Sequence, residues 1–235
     1  MKKGIIIIIL LILLQPIKIE ARAGGGGSSG GGSSGSGSHS NHNHYDDYDQ
    51  GNHNPIVGYL STGLAAMVVT GFTIYQRRER ALKLHRKAKQ ELAKLDDEDQ
   101  FWNEAKIKQK VEACYYQIQI AWSNEDLEVL KDYLTPELYQ SWEIKLNWQS
   151  FQGRKNQLSD IKLIKHDVVS VYDDDDNDKD YFWVYIEGKM LDQIVDVNNQ
   201  IIESNDERFV EYWKFRRKDD RIYLDMILQQ DEFER

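Results

Sequence analysis

The chain has 235 residues, a formal net charge of -9, 40% hydrophobic and 29% charged residues, and one cysteine. A single cysteine excludes an intramolecular disulfide and any multi-cysteine zinc site. Residues 1–23 carry +3, residues 24–54 carry -3, residues 76–95 carry +6, and residues 96–235 carry -15. A region that acidic excludes nucleic acid as a natural partner, because such binding rests on neutralising phosphates.

Residues 1–23 read as a secretory signal peptide. Lys2 and Lys3 precede an apolar run from Ile5 to Leu14, and Ala21-Arg22-Ala23 has the form of a cleavage site. An uncleaved anchor helped by Pro16 and Ile17 is the alternative. Residues 24–54 are low-complexity and Gly/Ser-rich, with nothing to bury, and predict a disordered tether. The tether ends in His39, His42 and His44 beside Tyr45, Asp46, Asp47, Tyr48 and Asp49; imidazole and carboxylate suit transition metals, but a polar spacer without site geometry is the simpler account.

Residues 55–75 contain no charged side chain and predict a transmembrane helix of about 31 Å, matched to a bilayer core. Thr62, Ala66 and Thr70 give it a small-residue face suited to another helix, which leaves a homo-oligomer open. Eight basic residues follow the span and none occurs in the tether before it. The positive-inside rule therefore places the C-terminal domain at the cytoplasmic face of the cell membrane, whether or not the signal is cleaved.

Residues 76–95 predict a basic juxtamembrane helix with Leu84, Ala88, Leu92 and Leu95 on one stripe. Arg77, Arg78, Arg80, Lys83, Arg86 and Lys87 are its candidate contacts with membrane lipid headgroups; a solvated stalk is the competing reading.

Residues 96–235 form one further domain. Phe101, Ala105, Val111, Tyr115, Ile118 and Trp122 follow a helical rhythm broken at Lys108. Asp126 suits the start of a second helix that packs Leu127 and Leu130 inward. Thr135-Pro136-Glu137 opens a third, with a capping hydroxyl and proline at the first position; it carries Leu138, Trp142, Leu146 and Phe151, and stops at Gly153. The rhythm then becomes that of strands over Ile161–Tyr172 and Tyr181–Leu191. The acidic run Asp173–Asp180 between them reads as a solvated hairpin tip; Lys179 and Tyr185 replace the glycine and glutamate that a calcium loop needs. Phe209, Glu211, Trp213 and Phe215 share one face of a later strand. Arg217 to Arg221 reads as a charged turn, and Ile222, Leu224, Met226 and Leu228 alternate in the last strand. Helices followed by an antiparallel sheet define an α+β domain.

Two blocks carry a resemblance. The first is Ala121-Trp122-Ser123-Asn124-Glu125-Asp126-Leu127, with Leu130 and Tyr133-Leu134-Thr135-Pro136-Glu137-Leu138. The second is Phe209-Val210-Glu211-Tyr212-Trp213-Lys214-Phe215-Arg216. Together they resemble the Tim-forty-four-like (Tim44-like) domain family over about Phe101 to Glu232. The resemblance implies a cystatin-like, nuclear-transport-factor-two-like fold with an apolar pocket between helices and curved sheet. It also implies work at a membrane, tethering a protein partner in protein transport.

The function expected is thus a membrane-anchored, non-enzymatic interaction domain supporting protein translocation or membrane-protein biogenesis. The alternative is lipid or small apolar ligand binding in the domain cavity, with Trp122, Trp142, Trp183 and Trp213 as candidate pocket lining. Ordinary core packing is the simpler account of such aromatics. No nucleophile motif, phosphate loop or metal spacing appears, so no catalytic residue, cofactor or metal is expected. Asp132, Tyr115, Tyr116, Tyr185 and His166 are residue types suited to acid–base work, without a recognisable constellation.

Overall fold

The computed structural model describes Ala23 and residues 78–233. The leader before Ala23, the tether, the apolar span and Arg77 lie outside the described residues. Among the described residues no helix is long and apolar enough to cross a membrane.

Helix α1 covers residues 78–96. From His85 onward it belongs to the same compact unit as the rest of the domain. Ala88 and Leu92 are buried in the domain core and Leu95 packs against it, so this part of the apolar stripe covers protein.

The segment after α1 holds a short 3-10 turn, Gln100–Trp102, started by Asp99, whose carboxylate accepts from Phe101 N at 2.9 Å. Helix α2, Glu104–Asn124, begins after it with Asn103 as its cap. The turn advances the chain at a different pitch from an α-helix and resets the phase. Phe101 thus lies outside the rhythm of α2, in which Ile107, four residues before Val111, rather than the expected Ala105, joins Val111, Cys114, Tyr115, Ile118 and Trp122 on the buried face. Cys114 is a free, buried thiol whose pKa burial pushes far up, so it is an inert core residue.

Glu125, at φ 58°, ends α2 in the left-handed conformation, and Asp126 caps α3, Leu127–Tyr133, through Val129 N. Helix α4 is Pro136–Phe151. The expected capping bond from Thr135 is absent: its hydroxyl makes no cap, and its backbone N–H instead donates to Leu224 O at 2.9 Å. Leu134 forms a parallel bridge to Leu224, so the α3–α4 junction is tied to the last strand.

Gly153, at φ +66°, stops α4 and leads directly into the sheet. Strand β1 (Arg154–Tyr172) starts earlier than the β-branched run suggested, and β2 (Tyr181–Asp196) pairs with it antiparallel along its length. The other edge of β2 is shared end to end by β4 (Arg208–Lys218) and the short β3 (Ile201–Asn205); β5 (Arg221–Gln229) pairs with β4. Three register shifts in β1 bend the strand, as bulges do, and curl the sheet around α2. A further shift between Lys214 and Phe215 leaves Asp225 as the extra residue on β5. Alternation slips there: Met226 is exposed and Ile227 packs against the core, correcting the expected Leu224–Met226–Leu228 face.

One face of the sheet meets the helices. Phe182, Val184, Ile186, Trp213 and Phe215 pack there against α2, with Tyr115 and Trp213 ring centroids 5.4 Å apart. The opposite face carries Trp183, Tyr185 and Tyr212 under the short C-terminal helix α5, Gln230–Phe233, whose Phe233 stacks on Tyr212 at 3.9 Å.

The acidic hairpin tip departs from a merely solvated loop. Asp180 is fully buried, and its carboxylate accepts from Arg217 Nη1 at 3.2 Å and from Asp174 N at 2.8 Å. Asp173 accepts the Trp102 indole N–H at 2.9 Å. Arg217 is 7% exposed and is not part of the expected surface turn; it also binds Asp99 and lies over the Phe101 ring at 4.1 Å. Burial raises the Asp180 pKa above the ordinary carboxylate value, while the Phe101 N–H leads the effects that lower that of Asp99.

Two substitutions test this packing. A Cβ at Gly188 would lie 2.5 Å from Phe209 Cζ and 2.8 Å from the Tyr115 hydroxyl, so Gly188→Ala should cost about 1–3 kcal/mol in denaturant unfolding. Arg217→Met strands the buried Asp180 carboxylate and should cost about 3–5 kcal/mol, with much of the loss recovered in the Arg217→Met/Asp180→Leu double variant. A double variant no more stable than Arg217→Met would show that packing, rather than the stranded charge, sets the loss.

Candidate functional site

Helix α4 has two apolar faces. Trp142, Leu146 and the amide Gln149 point inward and are buried. Ile144, Trp148 and Phe151 repeat at the same helical spacing, offset by two residues or about 200°, and therefore point away from the core. They are 64%, 52% and 81% exposed. Trp148 and Phe151 stack on each other at 5.7 Å rather than folding back onto the domain. Beyond the helix end Val197, 78% exposed, reaches Gly153, and Ile201 and Ile202 are exposed on β3. Single exposed apolar side chains are ordinary, whereas Ile144, Trp148 and Phe151 are three large ones aligned on one face of a helix. Of these residues the sequence pattern marks only Phe151, and predicts it inside.

The four tryptophans proposed as pocket lining are not gathered around one space. Trp122 and Trp142 pack edge to face at 5.0 Å, and the Trp122 indole N–H donates to Asn156 Oδ1 at 2.7 Å. Asn156 in turn donates to Asp192 at 2.7 Å, so the indole is held by a buried polar chain. Trp213 is fully buried and donates to Glu211 at 2.9 Å. Trp183 lies on the other face of the sheet, against Phe233.

Of the six basic candidates for lipid contact, Arg78, Arg80 and Lys83 lie in the first part of α1, and Arg86 and Lys87 in the part that joins the domain unit; both of the latter are exposed. His85, between them on the chain, faces inward. Its Nδ1 lies 2.9 Å from Val168 O, and its Nε2 is 3.7 Å from Glu104 and 4.0 Å from Asp167. Asp167 also holds Lys108 at 2.9 Å and Lys165 at 3.0 Å. This explains Lys108, the one break in the α2 pattern: its ammonium spans to β1.

The residues suited to acid–base work are dispersed. The Tyr116 hydroxyl accepts from Leu163 N, Tyr185 donates to Glu187 at 3.4 Å, and the Asp132 carbonyl accepts from Arg221. His166 is half-buried in β1; burial, with Lys108 nearby, holds its pKa below the ordinary imidazole value. Among the described residues no group of three or more His, Cys, Asp or Glu is arranged to hold a metal ion.

Helices packed on one face of a curved antiparallel sheet define an α+β domain. The chain belongs to the Tim44-like domain family, whose model matches residues 88–226. No curated protein matches the chain. Among solved structures it is similar to the intermembrane space region of the chloroplast protein ARC6, at 12% identity and a TM-score of 0.40, over 52% of this chain and 94% of that one. It is also similar to RPA3114, a SEC-C motif containing protein from Rhodopseudomonas palustris, at 11% identity and a TM-score of 0.25, over 47% and 70% of the respective chains.

The Asp167 cluster yields a pH prediction. Burial alone would raise the Asp167 pKa, but the hydrogen bonds from Lys108 and Lys165 outweigh it and hold the carboxyl below its ordinary value. A lowered folded-state pKa contributes stability above about pH 4 that is lost as the pH falls through the folded value. Asp167→Asn should reduce stability by about 1–3 kcal/mol at neutral pH and flatten the fall in melting temperature below about pH 4. A variant with an unchanged acid profile would remove Asp167 from that role.

Proposed function

We propose that the chain is a membrane-anchored, non-enzymatic interaction domain that holds a protein partner beside the bilayer, on the cytoplasmic face, in support of protein translocation or membrane-protein biogenesis. The observation that carries this reading is the outward apolar face of α4, Ile144, Trp148 and Phe151. A helix that is apolar on two opposite sides serves two packing partners, and the domain core accounts for only one of them. A central aromatic cluster is also the usual source of binding energy in a protein interface. Membership of the Tim44-like family supports the tethering role, and the uncharged run of residues 55–75 followed by eight basic residues supports the anchor and its orientation.

The test is photocrosslinking in intact membranes from a reactive amino acid placed at Trp148 or Phe151, with Ala105 on the exposed side of α2 as the control position. One discrete protein adduct is expected from 148 and 151, none from 105, and its loss when Ile144→Ser is added. Equal adducts from all three positions, or adducts to lipid alone, would overturn the reading of this face as a protein-docking surface. Protease protection of residues 96–235 in sealed vesicles separately tests the orientation.

A further inference from the structure

Where α3 passes into α4, the chain faces the paired ends of β4 and β5 across a cavity of about 480 Å3. Lys131, Thr135 and Tyr139 form its helical wall, and Arg216, Lys218 and Tyr223 its sheet wall. The volume falls within the range of small-molecule sites, about 300–1,000 Å3.

Its electrostatics run against those of the domain. Residues 96–235 carry -15, yet the lining carries four cations (the fourth being Arg217) against two carboxylates, Glu137 and Asp178. The cations differ in what already holds them. Arg217 is committed to Asp180 and Asp99, and the Nε of Arg216 lies 3.2 Å from Asp225. Lys131 and Lys218 are exposed and make no ion pair among the described residues.

The cavity also receives the start of α4. This helix has 16 residues, begins with proline and has no side-chain cap, so no side chain accepts from its first N–H groups, and Glu137 is the one acidic residue of its first turn. Thr135 supplies a second, independent sign. It is 5% exposed, it lines the cavity, and its hydroxyl has no hydrogen-bond partner. A buried hydroxyl left unpaired costs free energy that a ligand acceptor would recover. Uncommitted ammonium groups, a helix N-terminus and a hydroxyl donor together suit a tetrahedral anion. Tyr139 and Tyr223 provide an aromatic wall for what the anion is attached to.

We infer that this cavity binds a small phosphate monoester carried on an aromatic or apolar body. Lys131, Lys218, the start of α4 and the Thr135 hydroxyl receive the phosphate, and Tyr139 and Tyr223 flank the body. The site is separate from the outward face of α4 and does not depend on the tethering role proposed above.

The test uses the full chain purified in detergent and isothermal titration with phenyl phosphate, phenol and dihexanoyl phosphatidic acid. Phenyl phosphate should bind and phenol should not. Binding should weaken about tenfold in the Lys131→Gln/Lys218→Gln variant, which alters only exposed side chains, and should weaken as salt is raised. Phosphatidic acid binding more tightly than phenyl phosphate would support the site and assign its phosphate to a lipid headgroup. The reverse order would support it as a site for a soluble ligand. No phenyl phosphate binding, equal binding of phenol, or an undiminished affinity in a variant with native circular dichroism would overturn the inference.

Discussion

The arrangement depends on the ionic knot at Arg217. One guanidinium binds Asp180 from the β1–β2 hairpin and Asp99 from the α1–α2 connection, and covers the ring of Phe101. These three segments are far apart in sequence, and the helical layer meets the end of the sheet where they converge. Such a buried pair adds little net stability, because desolvating both ions offsets most of their attraction. Its effect is geometric: Nη1 donates to both carboxylates while Nε donates to Asp219 O, so one guanidinium fixes where the segments meet. With Asp99 held there, the 3-10 turn after it sets the phase in which α2 presents Ile107, Val111 and Tyr115 to the sheet.

The sheet side imposes the matching constraint. Gly188 is the low point of β2, over which Tyr115 and Phe209 close; any side chain there would push α2 away from the strand. The α3–α4 junction is held by backbone rather than by a cap, through Thr135 N and Leu224 O, which leaves the Thr135 hydroxyl uncommitted. Both α4 features, the exposed apolar face and the uncapped start, follow from placing that helix by its connection to β5 and by Trp142 and Leu146. Its remaining sides were then not needed for folding.

Much of the architecture was legible in the residues. Thr-Pro-Glu and Gly153 bracketed α4, Asp126 started α3, and the change from helical to alternating rhythm placed the sheet after the helices. Two misses came from local breaks in periodicity and one from partners distant in sequence. The turn at Gln100–Trp102 takes Phe101 out of the α2 series, so a face counted from Phe101 reaches Ala105 where the helix itself buries Ile107. The extra residue at Asp225 turned Met226 outward. Asp180 and Arg217 looked like surface charge because nothing local distinguishes a buried acid in an acidic run, and the burial depends on partners 118 and 37 residues away. Residue type alone does not separate Trp213, facing the helices, from Trp183 on the other side of the sheet. The outward face of α4 was within reach: Ile144, Trp148 and Phe151 form a second helical series beside Trp142 and Leu146, and one helix with two such series has a face to spare.

The irregular register of β1 has a consequence for crowding. As the outermost strand of the sheet, β1 presents unpaired backbone groups that a second copy could in principle extend. Three register breaks and the charged side chains Lys155, Asp160, Lys162 and Lys165 along it spoil the flat, evenly spaced ladder that strand addition requires. The curvature that lets the sheet hold α2 thus also keeps neighbouring copies from zipping together edge to edge.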